Sequence, residues 1–385
     1  FVVIMTLFFQ AIFTWSAPLM DGVEAFILGL GAWLVPLVPE GIFADFFEDA
    51  VFGGLGAFLV FVPQIFVLTL IIGALEDSGY LARAALICHR PLSYFGLSGK
   101  SFVPLLSGVA CAIPAIYAAR TMSSRQERLM TYVAIPLMPC SARLPVYALL
   151  ITVLIPDTTS FGGLVGWQGL VMSGIYIFGI VSALLVASVA SRLGESESRK
   201  QAFILELPAY RTPNILPIIH ASVNRAAHFI QKAGSIIFTV TVVVWFLGYF
   251  PNGGEDLSAS WLAVLGTWIQ PVFEPLGLDW RYGVAILASF LAREVFVGTL
   301  GTIFGIENAD DDPAPLAERI TESGLTVASG AALVVFFTIA LQCVSTVALL
   351  ARESKSTGFA MRLLLSYLVL AWIAAFAVHG LVSLF

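Results

Sequence analysis

Three thiols sit in apolar surroundings in this chain, at Cys111, Cys140 and Cys343. Thiolate sulfur suits iron, copper or zinc better than sodium or magnesium. The three are therefore candidate ligands for a soft or borderline cation. Two of them belong to a repeated unit. Cys111 through Arg120 and Cys343 through Arg352 each place an arginine nine positions after the thiol, and each is preceded by Leu-Ala-Arg, at Leu81–Arg83 and Leu291–Arg293. Arg83 to Cys111 spans 28 positions and Arg293 to Cys343 spans 50, so the second copy reads as the first with a loop inserted. Pro114 follows the first thiol and Pro139 immediately precedes Cys140. Proline frees carbonyl oxygens in the preceding turn, and these can add oxygen ligands beside a thiol. The competing reading is that each cysteine is a small buried hydrophobe. Cys88, beside His89 and Arg90, reads as peripheral.

Charged residues in or near apolar segments form a second set. Glu76, Asp77 and Arg83 lie at the end of one apolar run, while Arg143, Arg293 and Glu294 lie inside others. A charge at the centre of a spanning helix costs about 2.5–3.5 kcal/mol on insertion scales, so it normally faces a partner or a water path. An Arg293–Glu294 pair is one expectation, with Glu294 open to a cation; snorkelling from a helix end is the other. The four histidines form no HxxxH or HExxH pattern. Gly96 through Ser101 ends like a phosphate-binding loop, but Tyr94 stands where that motif requires glycine. Nucleotide binding at that point is rejected, as is a membrane enzyme, since no Ser/His/Asp set or catalytic carboxylate pair is found.

The elements that position these groups are transmembrane helices. Hydrophobic residues make up 59% of the chain and charged residues 11%, less than half of what soluble domains carry. The mean hydropathy is +0.93. Continuous apolar runs at Phe1–Met20, Val51–Leu75, Gly163–Val189, Ser235–Phe250, Thr326–Leu350 and Leu363–Phe385 predict spans. Lipid forces each to satisfy its own backbone hydrogen bonds, so the fold class is all-α: a polytopic helical membrane protein. The residues from Asp21 to Asp49 contain no Lys or Arg, whereas Arg83, Arg90, Lys100, Arg120, Arg125 and Arg128 follow Glu76. The positive-inside rule puts the second stretch in the cytoplasm and the first outside. Keeping all six basic residues on one side requires Ser101–Ala119 to be re-entrant or broken, in keeping with its Pro104, Gly108 and Pro114. Broken helices meeting near the midplane of a duplicated core are a transporter plan. The net charge of −6 is segregated by loop and says little about partners. Nucleic acid is not among those expected.

Leu75 through Arg83, Gly99 through Leu106, Cys111 through Ala115 and Pro139 through Tyr147 resemble the first Gate region of the bacterial ferrous iron transport protein B family. Glu206–Pro208, Lys232–Gly234, Ala292–Glu294 with Val297–Thr299, and Cys343 through Glu353 resemble its middle and second Gate region. On that resemblance the chain divides as follows. Residues 1–50 hold a first spanning helix and an extracytoplasmic amphipathic segment, and 51–156 form the first Gate region. Residues 157–280 are linking spans with a cytoplasmic loop at 192–227. Residues 281–362 form the second Gate region with an acidic loop at 306–325, and 363–385 the last spanning helix. The resemblance implies uptake of Fe2+ as transported substrate across the bacterial cytoplasmic membrane, along a path lined by Cys111, Cys140 and Cys343; Glu294 stays a further candidate metal ligand from its place in an apolar run. Glu76, Asp77, Arg83, Pro114, Pro139, Arg143 and Arg293 are then gating or structural residues. The resemblance also implies gating by an amino-terminal GTP-binding domain outside this chain and small cytoplasmic accessory proteins of the ferrous iron system; whether the chain forms a homo-oligomer is left open by the sequence. The absence of Met at position 1 fits a membrane portion of a longer protein. Two departures are Ala112, where the family often has Asn, and His89, where Asp is common. The alternative is a Gate-type permease for a nucleoside or another small organic solute.

Overall fold

Several of the apolar runs turn into separate helices at prolines and glycines. The computed structural model describes residue 10 and residues 16–39, 41–53, 56, 59–122, 124–155, 159–160, 165–193, 210–253, 259–290, 293–306 and 313–384. Among these the protein is helical apart from one short antiparallel ribbon, Thr159–Ser160 paired with Val165–Gly166. Among the described residues five helices are long and apolar enough to cross a membrane, or six if one bent pair is a single span. The all-α polytopic class therefore holds. The chain forms two units, Phe1–Thr131 with Ala190–Phe246 and Tyr132–Val189 with Leu247–Phe385.

In the first unit, α1 (Ala17–Leu34) begins the described structure. The expected span Phe1–Met20 falls mostly outside the described residues. A candidate span instead covers Pro18–Leu37, where an extracytoplasmic segment was expected; its only charges, Asp21 and Glu24, lie in its first two turns. Within the run Val51–Leu75 lies the start of α2 (Phe61–Asp77). A bend of 86° separates it from α3 (Tyr80–Tyr94). Gly79 makes the bend with φ of 78°, a left-handed conformation that disfavours any residue with a Cβ. Next, α4 (Phe102–Ala110) and α5 (Ala112–Ala118) pack against each other across the single residue Cys111. The expected break in Ser101–Ala119 is thus a helical hairpin. Its prolines start helices rather than kink them. Pro104 and Pro114 are each the third residue of their helix, where a backbone N–H has no helical partner to lose. Leu106 and Ala110 of α4 join Leu68, Ile72 and Leu81 in one buried cluster, which seats the hairpin on the α2–α3 bend.

The division between the units falls within α6 (Arg125–Ala134), after Thr131, and the second unit contains α7 (Leu144–Leu154) and most of α8 (Trp167–Leu193). The expected cytoplasmic loop 192–227 falls outside the described residues from 194 to 209. It ends in helix from Ile215, as α9 (Ile215–Phe229), which packs on α2 and continues through a π turn into α10 (Ser235–Tyr249). Five helices follow, α11 (Trp261–Phe273), α12 (Trp280–Ala288), α13 (Val295–Phe304), α14 (Pro313–Glu322) and α15 (Val327–Ile339). The chain ends in α16 (Val344–Ser354) and α17 (Thr357–Val382).

Two expectations are corrected here. The acidic loop 306–325 contains the helix α14, because Leu316 and Ile320 form an apolar stripe, fully buried, beneath its charged face; the helix packs on α7. The last span starts at Thr357, six residues earlier than expected, with the Ser356 hydroxyl capping Phe359 N–H. Val327–Ser354 is the centre of this unit, with 67% of its apolar window buried against 22% for Trp167–Arg192 and Thr357–Val382. It is not one continuous helix as the run Thr326–Leu350 suggested, but is interrupted at Ala340–Cys343.

Candidate functional site

All three candidate thiols occupy the same local position. Each is an extended residue immediately before the first residue of a helix: Cys111 with φ −155° and ψ 138°, Cys140 with −91° and 161°, Cys343 with −161° and 102°. A residue at that position faces N–H groups that the following helix leaves unpaired, an environment suited to a negatively charged ligand. Each thiol is half-buried.

The three breaks are made differently. At Cys140, Pro136 sits in the 3-10 turn Ile135–Leu137 that ends α6, and Pro139 precedes the thiol, so two residues lack the N–H that would continue a helix. At Cys111, in the first unit, the hairpin packing turns the chain, and the Cys111 N–H still reaches the Ser107 carbonyl at 3.0 Å. At Cys343 there is no proline or glycine. Partners from α12 and the turn after it hold that break open: Val344 N–H donates to the Phe290 carbonyl at 2.9 Å, and Gln342 Nε2 donates to Ser289 Oγ at 3.1 Å.

Two buried arginines complete the breaks of the second unit. Arg143 is 0% exposed; its Nη1 donates to the carbonyls of Leu137 and Met138 at 3.2 and 3.3 Å, and its Nη2 to that of Pro136 at 3.1 Å. Arg293 is 4% exposed; it donates to the carbonyls of Gln342, Phe337 and Ala340 at 3.3, 3.4 and 3.0 Å. The expected Arg293–Glu294 pair is absent, because the guanidinium lies on the end of α15. The negative end of a helix dipole takes the place of the carboxylate. Nor is Arg83 the equivalent of Arg293, despite the shared Leu-Ala-Arg. It donates to the Gly79 carbonyl at 2.9 Å and stacks 3.7 Å from the Tyr210 ring centroid, both within the first unit.

Glu294 lies within electrostatic reach of both Cys140 and Cys343, and the two thiols are within reach of each other. Sequence reasoning missed the groups around them. Thr346 hydrogen-bonds the Cys343 thiol, and Tyr176, in edge contact with Tyr147 at 6.4 Å, neighbours Cys140. Their signal was a polar atom in an otherwise apolar run. Among the described residues, no three His, Cys, Asp or Glu side chains are grouped to hold a metal ion. The three candidate thiols stand singly at separate helix interruptions.

The remaining gating or structural candidates lie on the α2–α3 bend. Glu76 is exposed. Asp77 pairs with Arg211 and accepts the Asn214 N–H at 2.8 Å, fastening the start of α9 to the end of α2. With Arg83 on Tyr210, it clamps residues 210–214 onto the bend.

Comparison with known proteins adds the following. The Gate family profile, described as nucleoside recognition, matches residues 58–153 and 230–357, and the profile of the ferrous iron transport protein B C terminus matches residues 172–225. A Fe(2+) transporter FeoB of Leptospira interrogans is 36% identical over the whole chain, which covers 58% of that relative. A Staphylococcus aureus Fe(2+) transporter FeoB is also 36% identical, with 57% of it covered. A Porphyromonas gingivalis Fe(2+) transport protein A/Fe(2+) transporter FeoB fusion protein is 35% identical, with 50% covered. The chain thus spans little more than half the length of these relatives. No solved structure matches.

Proposed function

Because the chain belongs to the ferrous iron transport protein B family, through its Gate-containing membrane portion, we propose that it forms the permease part of an Fe2+ uptake system. The membrane is the bacterial cytoplasmic membrane, which the chain crosses several times. The observation that carries this reading is the placing of Cys140 and Cys343 at two helix interruptions of one unit, with Glu294 in reach of both. Fe2+ takes thiolate, imidazole and carboxylate ligands. A transported ion must be held firmly enough to enter and loosely enough to leave. Open interruptions with single thiols meet that requirement better than a closed site. Cys111, at the tip of its own hairpin in the first unit, is a ligand in this reading on the family resemblance alone.

In this reading nucleotide-driven gating is the work of a GTP-binding domain outside residues 1–385, as the family resemblance implies. The fused Porphyromonas relative carries a Fe(2+) transport protein A in its name, and a small accessory protein of that kind is the partner added here. The test is Fe2+ uptake into vesicles holding the protein as its gene encodes it. Cys140→Ser and Cys343→Ser should each reduce uptake strongly, and parental rates in both would remove the thiol path. The Gate description favours a second reading, a nucleoside permease. It predicts uptake of labelled nucleoside that neither serine substitution nor metal removal changes.

A further inference from the structure

A helix that stops inside the membrane leaves carbonyl oxygens without partners. In transporters with broken helices such carbonyls coordinate Na+ and similar hard ions. This protein has two such ends in its second unit, at Pro136–Met138 and at Phe337–Gln342. Both are covered in the same way. Arg143 donates to three carbonyls of the first and Arg293 to three of the second. The two arginines come from different sides of their breaks: Arg143 follows its thiol in sequence, while Arg293 precedes its thiol by a whole helix and more. The same contact reached by two routes points to the contact itself as the requirement. Guanidinium has five donors, no acceptor and a permanent charge. It cannot release the carbonyls by losing a proton. Among the described residues no carboxylate lies in ion-pairing distance of either arginine, so nothing there competes for the guanidinium.

We propose that Arg143 and Arg293 are specificity-determining residues: by occupying the carbonyls freed at the two helix breaks, they deny hard cations an oxygen cage and leave the Cys140 and Cys343 thiols as the ligands on offer. The inference rests on the reading of those two thiols as ligands for a passing cation. A carbonyl cage suits Na+ or Ca2+, whereas a thiol does not. With the carbonyls covered, the preference of each break shifts toward a borderline ion such as Fe2+.

The test uses proteoliposomes holding the protein as its gene encodes it, with Fe2+ uptake measured alone and against excess Ca2+ or Na+, and Ca2+ uptake measured directly. In the parent, Fe2+ uptake should be insensitive to both competitors. In Arg143→Gln and Arg293→Gln, the Fe2+-over-Ca2+ preference should fall roughly tenfold, the ratio that about 1.4 kcal/mol of differential binding supplies. Arg143→Lys and Arg293→Lys keep a charge but lack the planar fork, and should fall between parent and glutamine variants. Loss of Fe2+ uptake with no gain for Ca2+ or Na+ overturns the proposal, and so does an unchanged preference. If neither the glutamine nor the lysine variants fold, the arginines serve the scaffold alone and the proposal is again overturned. Cys140→Ser and Cys343→Ser in the same vesicles separate the two readings. Parental Fe2+ uptake in them defeats the thiol path. Loss of uptake there, with parental selectivity in the arginine variants, defeats only the role given to the arginines.

Discussion

The hydroxyl of Tyr147 lies 3.0 Å from the hydroxyl of Thr338, and both side chains are fully buried. The contact joins α7, which follows the Cys140 break, to α15, which precedes the Cys343 break. Thr338 has a second partner, the Val334 carbonyl at 2.7 Å. Removing the two hydroxyls should therefore differ in cost. Tyr147→Phe leaves Thr338 bonded to the Val334 carbonyl and should cost about 0.5–1.5 kcal/mol, whereas Thr338→Val removes a hydroxyl with two partners, leaves the phenol only the Arg143 guanidinium, and should cost about 1–3 kcal/mol. Thermal unfolding in detergent checks the order, and equal costs would show that the pair does not tie the two breaks.

The α2–α3 bend depends on one glycine. Gly79→Ala forces a side chain into the left-handed region and should cost about 1–2 kcal/mol. The same substitution should loosen the Cys111 hairpin, because Leu81, just past the bend, shares a buried cluster with Leu106 and Ala110. Thiol labelling of Cys111 should become faster in this variant, and an unchanged labelling rate would separate the bend from the hairpin.

Asp77 makes a further prediction about the same bend. Its carboxylate accepts the Asn214 N–H and pairs with Arg211. Asp77→Ala should accelerate amide exchange over residues 210–216, measured by hydrogen–deuterium exchange mass spectrometry. Arg83 stacked on Tyr210 would be left as the remaining clamp, so Asp77→Ala with Arg83→Ala should accelerate exchange further. Parental exchange in the double variant would contradict a clamp.

Much of this arrangement was legible in the sequence, and the limits have physical causes. The break at Cys140 could be read from Pro136 and Pro139, because proline acts locally, whereas at Cys111 Pro114 marks only where the second helix of the hairpin starts. The break at Cys343 could not be read in this way. It has no proline or glycine, and what opens it comes from residues far away in the chain, Ser289, Phe290 and Arg293. The same holds for the arginines. A Leu-Ala-Arg repeat suggested that Arg83 and Arg293 were equivalent, yet a guanidinium's partners are set by tertiary packing. Arg143, outside the repeat, turned out to match Arg293. The helix Pro313–Glu322 was hidden behind the acidic stretch before it, although the spacing of Leu316 and Ile320 held its signal.

The central claim is that Fe2+ meets sulfur from Cys140 and Cys343. X-ray absorption at the iron edge, on anaerobic protein loaded with Fe2+, tests it most directly. A sulfur shell in the parent that disappears in the Cys140→Ser, Cys343→Ser double variant is the predicted result. A shell of oxygen and nitrogen alone, the same in parent and variant, would contradict it.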